Sequence, residues 1–164
     1  MMRRDDRRID GPEAVQEILR RATVLHLAML DGDRPYVLPL SYGYEGEAIY
    51  LHSASAGRKI KALRATPEVC FTVSIDLMLT PGDQPCDWGF RYRSVVGEGT
   101  VAFVEDPAEK RRGLDALMRQ HGGPAGSYPP AMLARTTVLR IDITVLSGKQ
   151  AGYSERDQRP QEAP

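Results

Sequence analysis

The sequence predicts a mainly β protein in which six mostly antiparallel strands close into a small barrel. Three observations support this prediction. Six segments rich in β-branched and aromatic residues are separated by turns rich in Gly, Pro and Asp, only three short helical patterns lie among them, and helices and strands do not alternate regularly. Regular alternation would favour a parallel sheet covered by helices, whereas strands joined mostly by turns favour an antiparallel barrel.

The strand segments differ in pattern. Pro39 cannot donate to a sheet ladder and predicts an edge, a bulge or a break. Gly97 and Gly99 predict a bend in the fifth strand. In the last strand, the apolar residues expected on one face are Leu139, Ile141, Ile143 and Val145. The six predicted strands cover residues 23–30, 36–44, 48–54, 68–79, 90–105 and 136–148.

Each of the three predicted helices has start and stop signals. Asp10 is expected to cap a helix over residues 11–22, whose apolar residues recur on one face. A second helix is expected over residues 57–65, where a Thr-Pro pair stops it. The clearest helix follows Asp106 as its cap, with Pro at the first helical position and Glu three residues after the cap, and ends before Gly122.

Length and charge limit the organisation and the partners. The 164 residues suit one domain, expected over 10–149, with a flexible tail at 1–9 and a polar tail at 150–164. The 22 cationic and 22 acidic residues create no concentrated positive field, which argues against nucleic-acid or membrane-surface binding. No apolar stretch has the length of a membrane span and the start lacks a signal-like apolar segment, so a cytoplasmic protein is expected.

Cysteine and histidine usage predicts no metal site. The two cysteines form no CxxC pair; Cys70 is expected in the core and Cys86 in an exposed loop. The three histidines lack metal-ligand spacing. His26, inside an apolar strand, is expected to be structural.

The stretch "HSASAGRK", residues 52–59, joins a strand to a helix and predicts a phosphate site. A helix start offers free backbone N–H groups and the positive end of the helix dipole. The nearby hydroxyls add hydrogen-bond donors and the cations add positive charge. Gly57 lets a ligand approach the backbone. The alternative is that Ser55 merely caps the helix and that Arg58 and Lys59 are ordinary surface cations. Neither a Walker loop nor a GxGxxG motif is present, so a P-loop or Rossmann site is not indicated.

Four motifs together resemble a known family. "PYVLPLSYGY", "IYLHSASAGRKIKAL", "TPEVCFTV" and "YRSVVGEGTV", in this order and spacing, closely resemble the pyridoxamine 5'-phosphate oxidase-related FMN-binding split-barrel superfamily. Within it the chain is most similar to the nitroimidazole-resistance (Nim-type) flavoproteins. The resemblance runs from about residue 8 to residue 149. It implies a six-stranded antiparallel split barrel and a homodimer with FMN bound in two clefts at the subunit interface.

The resemblance also implies which residues surround the cofactor. The FMN phosphate would be held by Ser53, Arg58 and Lys59. The strand expected along the flavin ring carries Leu38, Pro39, Leu40 and Ser41. The partner subunit would contribute the segment around Arg93, Ser94 and Val95.

His52 is the residue implied in the chemistry. It would lie near the flavin and the substrate and could donate a proton or a hydrogen bond, a common role of histidine in catalysis. The alternative is a hydrogen-bonded structural histidine at a strand end. Trp88, the only tryptophan, lies in a loop rich in Pro and Gly, where it could cover the flavin pocket or, as slightly favoured, anchor the loop on the barrel.

The resemblance implies an FMN-dependent oxidoreductase that reduces a small electron-poor acceptor such as a nitroaromatic. Three alternatives stay open: a deazaflavin (F420)-dependent reductase, a pyridoxamine-phosphate-oxidase-like enzyme, and a flavin- or haem-binding protein without catalysis. The predicted phosphate site suits F420 nearly as well as FMN. The true oxidases carry an arginine cluster that binds the substrate phosphate, and we cannot place such a cluster in this sequence.

Overall fold

A computed structural model describes residues 5–153, and within them eight antiparallel strands form one sheet that curls into a split barrel. The strand order is β3-β2-β6-β7-β8-β5-β4, with β1 pairing the far end of β8. This confirms the predicted fold class. The strands are β1 (Arg8–Ile9), β2 (Val24–Asp31), β3 (Arg34–Ser41), β4 (Gly43–Glu45), β5 (Ala48–Ser53), β6 (Glu68–Thr80), β7 (Gly89–Val104) and β8 (Thr137–Ala151).

Four α-helices accompany the sheet in the described part of the chain. They are α1 (Pro12–Arg21), α2 (Arg58–Ala65), α3 (Pro107–Gln120) and α4 (Pro130–Arg135). The three predicted helices are confirmed, whereas α4, β1 and β4 were not predicted. None of the helices in residues 5–153 is long and apolar enough to cross a membrane. The same residues contain no group of three or more His, Cys, Asp or Glu that could hold a metal ion.

The packed part of the chain extends beyond the predicted 10–149. Residues Arg8 and Ile9 pair with Lys149 and Gly148 of β8, and the Ile9 side chain is buried in the core. At the other end β8 continues through Gln150, which is also buried. Residues 8–9 and 150–151, which the prediction assigned to the tails, thus belong to strands of the sheet, and residues 1–4 and 154–164 lie outside the described residues.

The main core fills the barrel, and a smaller cluster lies between the barrel wall and α3 and α4. The apolar faces of α1 and α2 close the barrel interior, as their spacing predicts. The buried hydroxyl of Tyr42 donates to the carbonyl oxygen of Leu19 at 2.6 Å. At the end of α1, the side-chain amide of Gln120 donates to the carbonyl oxygens of Leu19, Arg20 and Ala22 at 2.8, 2.9 and 2.5 Å.

Of the two predicted aspartate caps, one is confirmed and one is wrong. Asp106 caps α3, accepting from the backbone N–H of Glu109 at 2.7 Å. Asp10 does not cap α1, because Gly11 occupies the N-cap with φ 91° and the Asp10 carboxylate instead accepts from Arg8 at 2.8 Å.

Two burial predictions are wrong. The register between β7 and β8 shifts because Glu98 pairs with Val145 and Gly99 with Ile143, which leaves Thr144 of β8 as the extra residue of a bulge; Val145 therefore faces solvent while Leu139 and Ile141 are buried. Cys70 is exposed, because its two neighbours along β6 point into the barrel and the side chains of a strand alternate. Cys86 is exposed as predicted.

Three named regions position the site. The outer face is the solvent-facing side of β3, β2, β6, β7 and β8. The hairpin end is the end of this face at the tight turn joining Asp31 to Arg34. The arm is residues 77–90, where β6 and β7 continue as a two-stranded hairpin beyond the opposite end of β2.

Candidate functional site

The candidate site lies at the start of α2, near the hairpin end. Gly57 precedes the helix with φ 122°, a conformation that favours glycine, and a Cβ there would meet no atom within 4 Å. The first turn of α2 carries no acidic residue. The helix start is therefore open to a ligand and electrostatically suited to an anion. Ser55 makes no side-chain cap, so that alternative reading is wrong.

The two cations at this helix start have different surroundings. Arg58 is exposed; its Nε donates to Asp31 Oδ2 at 2.7 Å, and its guanidinium lies 4.0 Å from the centroid of the Tyr36 ring. Lys59 is half-buried, and burial lowers the pKa of its ammonium group. No carboxylate of the described residues forms an ion pair with Lys59. Desolvation therefore destabilises the charged form of Lys59, and a bound anion would offset this effect.

His52 and Ser53 close β5 just before this helix. They pair in register with Val138 and Thr137 of β8. The preceding residue, Leu51, points into the core, so His52 points outward and is exposed. Within the described residues its side chain makes no hydrogen bond, which leaves the structural-histidine alternative without support.

The predicted ring-binding strand is β3, an edge strand of the described sheet. Leu38 and Leu40 are half-buried, whereas Pro39 and Ser41 are exposed. Pro39 pairs in register with His26, and its place in an edge strand confirms the prediction made from its missing N–H. The free edge of β3 leaves backbone groups available to a ligand.

The third predicted segment, residues 93–95, lies far from the helix-start residues in one copy of the chain, whereas Leu40 and Ser41 of β3 pair with the end of β2 that is nearer to this segment. Arg93 pairs with Ile75, beyond the end of β2 opposite to Asp31, and donates to Asp76 at 2.9 Å. The two ends of β2 are seven residue steps apart, so this segment and Arg58 are roughly 23 Å apart along the sheet.

The other two members of that segment are placed differently. Ser94 is half-buried, and its hydroxyl lies 3.4 Å from the carbonyl oxygen of Lys149. Val95 is fully buried in the barrel and presents no side chain to a ligand. The sequence alone could not exclude Val95 as a cofactor-binding residue, because its burial depends on which face of β7 points into the barrel.

Two further residues differ from expectation. Trp88 exposes 52% of its surface and does not anchor its loop on the barrel, so the favoured interpretation is wrong. His26 is exposed rather than enclosed in the sheet. It lines an open cavity of about 250 Å³ on the outer face, together with Arg21, Ala22, Thr23, Val24, Ser74, Ile75 and Leu77.

Sequence reasoning missed Asp31 and Tyr36 at the site. Both contact Arg58, one through an ion pair and one through its ring. Their signal was the tight turn "DGDRP", which brings the end of β2 beside the start of β3. The sequence does not show that α2 packs against this turn.

The split barrel agrees with the family comparison. A family model described as pyridoxamine 5'-phosphate oxidase matches residues 12–150, most of the chain, and the protein belongs to this family. The resemblance inferred from the four motifs is confirmed. No curated protein matches the sequence.

Several solved structures are similar to this chain. The chain is similar to a candidate 5-nitroimidazole antibiotic resistance protein from Bacteroides thetaiotaomicron, with 31% identity, a TM-score of 0.79 and coverage of 87% of this chain and 86% of that one. It is also similar to the flavocytochrome Anf3 from Azotobacter vinelandii, with 25% identity, a TM-score of 0.77 and coverage of 96% and 77%. A third neighbour is described as an F420 reductase, with 25% identity, a TM-score of 0.55 and coverage of 83% and 98%. The family and these neighbours place the chain among split-barrel proteins of the flavin type.

Proposed function

We propose that the protein is an FMN-dependent oxidoreductase that reduces small electron-poor acceptors such as nitroaromatics and 5-nitroimidazoles. The observation that carries the proposal is the half-buried, unpaired ammonium of Lys59 at the open start of α2. A phosphate monoester matches this site in charge and in hydrogen-bonding capacity. The similarity to a candidate nitroimidazole-resistance protein supports the choice of acceptor.

Each residue near the site has a defined task in this proposal. Lys59 and Ser53 bind the phosphate, and Arg58 either joins them or remains with Asp31. The backbone of β3 from Leu38 to Ser41 hydrogen-bonds the edge of the ring. FMN, when bound, supplies the electron transfer, while the protein orients the ring and excludes water. His52, exposed and without a side-chain partner among the described residues, is free to donate a proton to the reduced acceptor.

A homodimer is part of the proposal. The separation of the Arg93–Val95 segment from Arg58 supports it, because residues roughly 23 Å apart on one copy meet only if a second copy brings its opposite end to the site. A two-fold axis generates two equivalent sites in that arrangement.

A reductase that uses F420 is the second candidate. One similar structure is described as an F420 reductase, and F420 also carries phosphate that Lys59 could bind. The two candidates differ in the chromophore, so a spectrum separates them.

The test is the absorption spectrum of the purified protein, with chromatography of the heat-released supernatant. Oxidised flavin bands that follow the protein through desalting, with FMN in the supernatant, support the proposal. Turnover of a nitroaromatic with a nicotinamide reductant is then expected. A deazaflavin band would favour the second candidate, and a Soret band or no uptake of added FMN would refute the cofactor assignment. Stoichiometric FMN without turnover by any reductant would indicate a binding protein instead.

A further inference from the structure

Lys59 has the surroundings of a nucleophilic lysine. It is half-buried, and burial lowers the pKa of its ammonium group. Two carboxylates lie in the adjacent turn, but neither forms an ion pair with Lys59 in the described part of the chain. Asp31 instead accepts from Arg58 at 2.7 Å, and Asp33 is exposed. The Lys59 amine is therefore neutral more often than that of a fully solvated lysine, and the neutral form is the nucleophile.

The place of Lys59 in α2 brings its amine to the helix start. Gly57 is the N-cap, so Lys59 is the second residue of the helix. Helical side chains lean towards the N-terminus, and the Lys59 stem therefore lies over the turn before its own Cα. The backbone N–H groups of this turn have no intrahelical acceptor, and the open space beside Gly57 gives a ligand access to them. An anion bound there lies within reach of the amine.

Acyl phosphates are the class of small molecule that suits a nucleophilic amine beside an anion site. They carry a phosphate group, and their electrophilic carbonyl carbon is separated from the phosphorus by a single bridging oxygen. A phosphate held at the start of α2 therefore brings the carbonyl carbon close to the Lys59 amine, which raises the effective concentration of the two reactants. The same backbone N–H groups can stabilise the oxyanion that forms on attack.

We propose that Lys59 is an acylation site, at which acyl phosphates compete with FMN and switch off cofactor binding. The competition with FMN rests on the proposed function; the acylation itself does not. The neutral Nζ attacks the carbonyl carbon, and a C–N bond forms while the C–O bond to the phosphate breaks. The bonding electron pair leaves with inorganic phosphate, and the surplus proton on the nitrogen passes to water. The amide that results has no charge and one donor in place of three.

Acylation of Lys59 and binding of FMN exclude each other. Bound FMN covers the amine with its own phosphate and protects it, whereas the acylated chain lacks the charge that the phosphate needs. The cofactor-free protein is therefore the sensitive form. Lys61 is an internal control, because it lies on the same helix but is exposed and farther from the helix start.

Treatment of the flavin-free full chain with acetyl phosphate tests the acylation site. Peptide mass spectrometry follows acetylation of the four lysines over time, at positions 59, 61, 110 and 149. We expect Lys59 to react ~10-fold faster than Lys61, and inorganic phosphate to slow the reaction of Lys59 alone. Acetic anhydride carries no phosphate, so it should show a smaller preference for Lys59. A Lys59 no faster than Lys61, or a Lys59 rate unchanged by inorganic phosphate, would overturn the proposal.

Protection by FMN separates the acylation site from the proposed function. Selective acetylation of Lys59 that inorganic phosphate slows but FMN does not would establish the acylation site and refute the FMN assignment. FMN that stays on the protein through desalting, with Lys59 no more reactive than Lys61, would refute the acylation site and leave the proposed function intact.

Two variants connect acylation to the loss of cofactor binding. After treatment with acetyl phosphate the parent should no longer take up FMN, whereas Lys59→Arg keeps a cation that acyl phosphates do not modify and should retain uptake. Lys61→Arg is the matched control and should lose uptake as the parent does. Loss of uptake in treated Lys59→Arg would overturn the switch. The peptide map of the parent decides the acylation site even where untreated Lys59→Arg binds FMN weakly.

Discussion

Replacement of Lys59 by Met tests the phosphate site most directly. Met keeps the length of the stem and its packing but removes the charge and the three donors. A hydrogen bond to a charged group contributes about 1.5–3 kcal/mol, so the Kd for FMN should rise ~10- to 150-fold. Riboflavin has the same ring without the phosphate, and its Kd should not change.

The same variant has a predictable effect on stability. Burial lowers the pKa of Lys59 in the folded protein, so the unfolded state binds more protons than the folded state between that lowered value and the ordinary lysine value of 10.5. The free energy of unfolding of the cofactor-free protein therefore gains a favourable contribution across that window. Below this pH window Lys59 is charged in both states, so the full free-energy cost of burying the charge remains. Lys59→Met should lose this pH dependence and be at least as stable as the parent at neutral pH.

Fluorescence titration of FMN and riboflavin, with urea unfolding at several pH values, measures both effects. Lys61→Met is the matched control, because Lys61 lies on the same helix but is exposed. Equal losses of affinity for FMN and riboflavin, or no loss for either, would refute the phosphate assignment. A flat pH dependence in the parent would refute the argument from burial.

Three further outcomes are expected. Asp31→Asn frees Arg58 and removes a negative charge beside the phosphate, so FMN should bind a few-fold more tightly while riboflavin binding stays constant in the same titration. His52→Ala should retain flavin and lower kcat for a nitroaromatic ~100-fold, and unchanged turnover in stopped-flow assays would remove His52 from the mechanism. Gln120→Ala should lower the free energy of unfolding by about 1–3 kcal/mol in urea titrations, because the carbonyl oxygens of Arg20 and Ala22 at the end of α1 lose their side-chain donor, whereas that of Leu19 keeps the Tyr42 hydroxyl. Gln120→Glu should be no better, since an ionised carboxylate cannot donate, and full stability in both would contradict that role.

Several features could be predicted because their cause is local. Asp106, Pro107 and Glu109 make the start of α3 unambiguous within one turn of helix. Pro39 lacks an N–H wherever it lies, so an edge, a bulge or a break in pairing could be expected there, and the structure shows the edge. The exposure of Cys70 was also available locally, because it alternates with apolar residues of "EVCFTVSI" and shares the phase of Thr72.

Other features depended on partners distant in the chain. β1 has two residues and β4 has three, too few to show any periodicity, and both exist because β8 and β5 offer them hydrogen bonds. Val145 turned outward because Thr144, beside it in β8, is an extra residue in the pairing with β7 and reverses the alternation of β8 at that point. Such choices are set by pairing across the sheet, which no local pattern records.

The sequence by itself determined the split barrel and the family, and it predicted an anion site in the stretch from His52 to Lys59, because spacing, glycine and charge are properties of consecutive residues. The tertiary structure alone decided that Asp31 and Tyr36 flank Arg58 and that Lys59 is half-buried without a counterion. It also decided that Arg93 lies at the opposite end of the sheet. Those facts depend on where α2 packs and on which ends of antiparallel strands coincide, and both arise only when the chain closes on itself.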